Sequence, residues 1–337
     1  MIPRTAQANE HNDDASCRTG NLNSCYSTNG GKSQSFTSLQ KLGSCLALLV
    51  CSVSATLCAE ASKSREGKYP YNSFMIPCTV EGMKLCASVV LLASSWISGD
   101  VKAISFRPLK FACFALPALC YFTSNNCMFY IIQELGPTTF QVTNNLKVMA
   151  TGFFMRVFLG KKLTWLRWKA LVLLVLGSCV TQLCTDNSGE LKTSTFGYTL
   201  VLLNSLSAGA GGVISELLLK GKHDSVVDPI HWQNIQLYFF GLALGLMSSW
   251  SKIADTGGFD GFNLWAYLTV FSLTLSGLLV SFIIKYLDNI AKCFVAAVAI
   301  VCVAVVHGAV ENEAPRMNLV IGIVLTCLAL EQYNLPQ

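Results

Sequence analysis

From residue 37 onward the chain alternates long apolar runs with short polar connections. There are about ten runs, each near the ~20 residues an α-helix needs to cross a bilayer core. The pattern predicts spans at Leu39–Ala59, Tyr71–Ile97, Leu109–Gln133, Pro137–Leu159, Trp165–Cys184, Thr195–Leu219, Pro229–Trp250, Phe262–Tyr286, Asn289–His307 and Met317–Tyr333. Ser and Cys dilute the first of these. Met1–Phe36 is rich in Asn, Ser, Thr and Gly and lacks an apolar h-region, so it reads as a disordered tail, not a signal peptide.

Composition agrees with an all-α polytopic membrane protein. Of 337 residues only 13% are charged, about half the ~25% usual for a soluble domain. Mean hydropathy is +0.48. Lys and Arg in the connections fall fourteen on one side and six on the other if there are ten spans. By the positive-inside rule, that bias puts both termini in the cytosol. Fifteen Cys scatter through apolar runs without metal-ligand or disulfide spacing, so they read as small core hydrophobes. His223, His231 and His307 are isolated, and neither a metal nor a cofactor is expected. The net charge of +5 is too diffuse for a nucleic-acid surface.

Sliding the chain on itself by 152 residues aligns Tyr130–Leu135 with Phe282–Leu287 and carries Thr138–Met155 onto Ile290–His307. That register relates spans three and four to spans eight and nine. It predicts two five-helix halves, residues 37–185 and 186–337, of inverted topology because five is odd.

The polar residues inside the spans are the candidate chemistry. Lys147 lies in TTFQVTNNLKVMATGFFMR, close behind Thr143 and Asn144. An ionised Lys near the bilayer centre costs roughly 2.5–3.5 kcal/mol on insertion scales, so it must line a wet cavity or find a partner. Lys84 has Glu81 one turn before it, and Lys292 follows Asp288 by one turn. Asn125, Asn126, Asn234 and Tyr238 add amides and a phenol. Amides suit base edges and sugar hydroxyls, and lysines suit phosphate. Interhelical hydrogen bonding is the competing reading for any single Asn or Thr. Glu216 reads as a structural partner for a lysine, and the glycines of SAGAGGVISE as close helix packing. No nucleophile–base set or paired loop carboxylates stand out. Mid-span polar residues favour a pathway over a reaction, so an enzyme is not expected.

The blocks LPALCYFTSNNCMFY, TTFQVTNNLKVMATGFFMRVFLGKKLTWLRWKAL, SAGAGGVISELLLK, HWQNIQLYFFG and SGLLVSFIIKYLDNIAKCFVAAVAIV resemble the nucleotide-sugar transporter family. The branch is that of CMP-sialic acid, UDP-galactose and UDP-N-acetylglucosamine carriers, and NNLK looks like plant and algal members. The resemblance implies ten helices in two inverted five-helix repeats, a drug/metabolite transporter-like fold. It also implies a multi-pass Golgi or endoplasmic-reticulum protein that exchanges a cytosolic nucleotide sugar for a lumenal nucleoside monophosphate; a homodimer is compatible with it. It assigns substrate binding to Lys84, Asn125, Asn126, Phe140, Thr143, Asn144, Lys147, Asn234, Tyr238 and Lys292. Phe140 and Ser124 depart from the animal pattern, which has Tyr and Gln at those places, and this leaves the choice of base and sugar open. Two other readings stand beside this one: a carrier of another anionic metabolite on the same scaffold, and a transport-inactive interaction subunit.

Overall fold

The computed structural model describes residues 37–64, 69–72, 75–99, 104, 106–135, 139–140, 143–182, 194–221, 228–256, 259–310 and 317–334. The expected N-terminal tail, residues 1–36, lies outside them. Eleven helices are described and, among the described residues, no strand. They are α1 (Ser38–Ala61), α2 (Met75–Ile97), α3 (Pro108–Cys113), α4 (Ala115–Leu135), α5 (Leu146–Phe158), α6 (Trp165–Gln182), α7 (Thr195–Lys220), α8 (Ile230–Thr256), α9 (Leu264–Tyr286), α10 (Asn289–Val310) and α11 (Met317–Asn334). Only Phe114 separates α3 from α4, so these make ten segments at the ten apolar runs. Five of them are long and apolar enough to cross a membrane by length and composition: Leu39–Ala61, Met75–Ile97, Thr195–Lys220, Leu264–Tyr286 and Asn289–Val306.

Two segments depart from the predicted spans, each for a local reason. Pro117 has no N–H to donate to the carbonyl of Cys113, and the helix is interrupted at Phe114, just where that bond is missing. The fourth span, expected to be continuous from Pro137, is broken. Thr139, Phe140 and Thr143 are helical, Asn144 and Asn145 form a turn, and the helix resumes at Leu146. Asn favours turns because its side chain competes for backbone groups. Thr143 bonds back through Oγ1 to the carbonyls of Thr139 and Phe140, at 2.8 and 3.2 Å. Lys147 is thereby brought into the first turn of a short helix.

Side-chain caps close the starts of α7 and α9. The Ser194 side chain accepts from Gly197 N at the start of α7, and Asn263 accepts from Ala266 N at the start of α9. Gly221 ends α7 at φ 54°, a left-handed conformation that glycine adopts without strain.

The helices pack as neighbours in a set pattern. α6 lies along α11, α4 along α7, α1 along α9 and α2 along α8. α5 also packs on α7, α10 on α1, α4 on α8 and α2 on α9. Small residues permit the closest approaches. A Cβ on Gly177 would meet Thr326, Leu325 and the Gly322 carbonyl, and one on Gly209 would meet the backbone of Ala150 and Thr151. The largest apolar cluster joins Val148 and Met155 of α5, Leu171 and Leu174 of α6, Val213 of α7, Ile290 and Phe294 of α10, and Ala329 of α11. The outer faces carry exposed Val90, Ile97, Leu202, Met247 and Phe271, as lipid-facing helices do.

Candidate functional site

A cavity of about 390 Å³ lies among α2, α4, α7, α8 and α9, with Lys292 of α10 also lining it. Its charged wall is built on α2. Glu81 and Lys84 stand one turn apart on one helical face, and Lys84 Nζ donates to Glu81 Oε1 at 2.5 Å. The ammonium also sits 4.5 Å from the centre of the Tyr238 ring, a cation–π contact that holds the lysine against α8. The Tyr238 hydroxyl is fixed in turn. It donates to the Gly277 carbonyl at 3.2 Å and is 2.8 Å from Ser281 Oγ.

Two glycines make room for this arrangement. A Cβ on Gly277 would strike the Lys84 stem, and one on Gly241 would lie 2.9 Å from Glu81 Oε2. Close packing was the expected reading of Gly241; the neighbour it admits is a partly buried ion pair.

Of the ten candidate residues, the structure gathers Lys84, Asn125, Asn126, Tyr238 and Lys292 around the cavity. Asn125 is exposed towards it, whereas Asn126 Nδ2 is engaged by the Phe122 carbonyl at 2.8 Å. Lys147 is partly buried, close enough to Lys292 for the two ammonium groups to repel. Among the described residues neither Lys147 nor Lys292 has an ion-pair partner. Asp288, one turn before Lys292, is turned to the helix start, where its Oδ1 accepts from Ala291 N at 2.8 Å.

The remaining four do not line the cavity. Phe140 packs with Cys127, Ile131, Leu135 and Val201 instead of lining the cavity. Thr143 is bonded back to its own segment, and Asn144 Oδ1 accepts from Asn204 Nδ2 at 3.5 Å. Asn234 is buried on the face of α8 that bears Tyr238, and its Oδ1 has no partner among the described residues.

Sequence reasoning passed over Asn204, Tyr121, Ser215, Gly277 and Ser281. Asn204 ties Ser124 (Oγ to Oδ1, 2.6 Å) to Asn144, and so links α4, α7 and the break before α5. Ser281 stands alone as a polar residue in an apolar run, a signal too weak to separate a site serine from one bonded within its helix.

The site therefore offers Lys292 without a carboxylate partner, Lys84 held by Glu81, and amide and phenol groups on a partly apolar wall, with Lys147 near Lys292. Such a chamber suits an anion that carries a ring. The sequence profile described as "Nucleotide-sugar transporter" matches residues 37–334. The chain belongs to the nucleotide-sugar transporter family. Among its relatives is CMP-sialic acid transporter 1 of Oryza sativa subsp. japonica, 31% identical over 285 residues, covering 80% of this chain and 87% of that protein. CMP-sialic acid transporter 1 of Arabidopsis thaliana is 30% identical over 298 residues, covering 80% and 83%. The UDP-N-acetylglucosamine transporter of Rattus norvegicus is 32% identical over 240 residues, covering 68% and 72%. A crystal structure at 11% identity superposes with a TM-score of 0.68, covering 88% of this chain and 97% of the other, a likeness of fold alone. As a nucleotide-sugar transporter homologue, this is a multi-pass membrane protein whose substrates are nucleotide sugars at the level of the family.

Proposed function

We propose that this protein is a Golgi antiporter that exchanges a cytosolic pyrimidine nucleotide sugar, CMP-sialic acid-like or a UDP-sugar, for a lumenal nucleoside monophosphate by alternating access. The observation that carries the proposal is the cavity with Lys84, Asn125, Asn126, Tyr238 and Lys292 on its wall and Lys147 beside Lys292. The relatives' names supply the pyrimidine nucleotides. In this reading the phosphates are neutralised by Lys292 and Lys147, with Lys84 exchanging part of its bond to Glu81 for a phosphate oxygen. Asn125, Asn126 and Asn234 hold the base and ribose, and Tyr238 presents its ring. Phe140, Thr143 and Asn144 shape the break that delivers Lys147 at a helix N-terminus, where the backbone also favours negative charge.

The two inverted five-helix halves, 37–185 and 186–337, belong to the same proposal, and the packing pattern supports them. Shifting every segment by five converts the α1–α9 contact into α4–α7, α5–α7 into α10–α1, and α4–α8 into α2–α9, while α2–α8 and α6–α11 map onto themselves. Each of these contacts has its mate. With both termini cytosolic, rocking of one half against the other exposes the cavity to each side in turn. Substrate and product share the nucleotide, so each occupies the site in alternation.

Counterflow in proteoliposomes tests this reading. Vesicles preloaded with unlabelled CMP or UMP should take up the labelled nucleotide several-fold faster than empty vesicles. Equal uptake by loaded and empty vesicles would rule out exchange.

A further inference from the structure

Two clusters of charge join separate segments where α3, α8 and α10 begin and α5, α7 and α9 end. In the first, the Glu216 carboxylate is fully buried. Its Oε1 accepts from Lys161 Nζ at 2.8 Å and from Lys220 Nζ at 2.7 Å, and its Oε2 accepts from the backbone N–H of Asn289 at 3.1 Å. Lys220 Nζ also donates to the Leu287 carbonyl at 2.6 Å. In the second, Lys110 Nζ donates to Asp228 Oδ2 at 2.8 Å. Lys285 Nζ donates to the Asp228 carbonyl at 3.1 Å and to Gln233 Oε1 at 2.8 Å.

Two of these ion pairs, Lys161–Glu216 and Lys110–Asp228, join residues that precede position 185 to residues that follow it. At the other end of the bundle the side-chain links across that boundary among the described residues are single hydrogen bonds, from Asn263 Nδ2 to the Ser62 carbonyl and from Ser194 Oγ to Glu134. Among the described residues, ion pairs across the boundary occur at one end only. That end carries the excess of lysine and arginine.

We propose that Lys161–Glu216 and Lys110–Asp228 form a latch that closes the cavity on the cytosolic side and must break for cytosolic entry. The latch lies against the cavity. Glu216 follows Ser215 and precedes Leu219, both lining residues, and Asn289 lies three residues before Lys292. Partly buried ion pairs suit a two-state contact, because their geometry is well defined when closed and each charge must find water or another partner when open. Lys220 and the Asn289 amide remain with Glu216 when Lys161 leaves, so the carboxylate is not stranded in the open state. The inference rests on the alternating-access reading given above, and it deepens that reading by naming the contacts that switch.

The test uses the full chain with Ser215→Cys as a reporter, in sealed Golgi vesicles whose cytosolic face points outward. A membrane-impermeant maleimide is added outside, and modification at position 215 is read by peptide mass spectrometry. Lys110→Gln with Lys161→Gln is expected to raise outside labelling several-fold over the reporter alone, while labelling in permeabilised vesicles stays equal. Outside labelling unchanged by the two substitutions would overturn the latch. Lys161→Gln by itself, at a side chain about one-third exposed, gives the same reading if the double variant does not fold. Failure of the transport reading shows separately, as absence of counterflow in the parent protein, while the labelling experiment still scores the latch.

Discussion

Gly277 of α9 lies directly against Lys84 of α2: a Cβ added to the glycine would stand 2.5 Å from the lysine Cδ. The backbone of one helix is thus the seat for the charged side chain of another, and Tyr238 and Glu81 hold the ammonium from the remaining sides. Gly277→Ala should push Lys84 off this seat. We expect nucleotide affinity to fall roughly tenfold, about 1.4 kcal/mol, with expression in the membrane little changed. Titration calorimetry on the purified variant reads the difference.

Tyr238 separates ring from hydroxyl. Tyr238→Phe keeps the cation–π face for Lys84 and loses the bonds to Ser281 and the Gly277 carbonyl. A net loss of roughly 0.5–1.5 kcal/mol in stability is expected for one such hydrogen bond. Tyr238→Ala should lose the ring as well and weaken ligand binding far more than Tyr238→Phe. Equal ligand affinities in the two variants would contradict the ring's role.

Lys147→Ala should abolish exchange while leaving membrane expression near normal. Its ammonium has no ion-pair partner among the described residues, so the substitution strands no carboxylate. Counterflow measured beside surface-normalised expression decides the point. Retained exchange would remove Lys147 from the mechanism.

Gly209 tests the scaffold apart from the site. A Cβ there would come within 2.9 Å of backbone atoms of Ala150 and Thr151, which cannot swing aside as a side chain can. Gly209→Ala should destabilise by roughly 1–3 kcal/mol, the usual range for overpacking. A thermal melt of the purified variant measures it.

What could be read from the chain follows the range of the forces involved. Helix positions were legible because burial in lipid is imposed on every residue of a span, and the observed limits of α6 through α11 fall close to the apolar runs. The pairing of Glu81 with Lys84 was legible because its partners are one turn apart. The Lys110–Asp228 and Lys161–Glu216 pairs were not, since they bridge 118 and 55 positions and nothing local marks which lysine meets which acid. The break at Asn144–Asn145 lay between these cases. Its turn-forming residues were visible, but the apolar run around them favoured a continuous helix. Asn204 escaped because a single Asn within an apolar run carries no sign of the polar cluster it completes.

The most direct measurement is thermal stability of the purified protein with CMP, UMP, GMP, AMP and a neutral nucleoside. A ligand that binds only the native state stabilises it by about 2.7 kcal/mol at a hundredfold excess over Kd. Stabilisation by CMP or UMP, with little from the purine nucleotides or the neutral nucleoside, is the expected result for a pyrimidine-nucleotide site built on Lys84, Lys147 and Lys292. A flat panel from well-folded protein would contradict it.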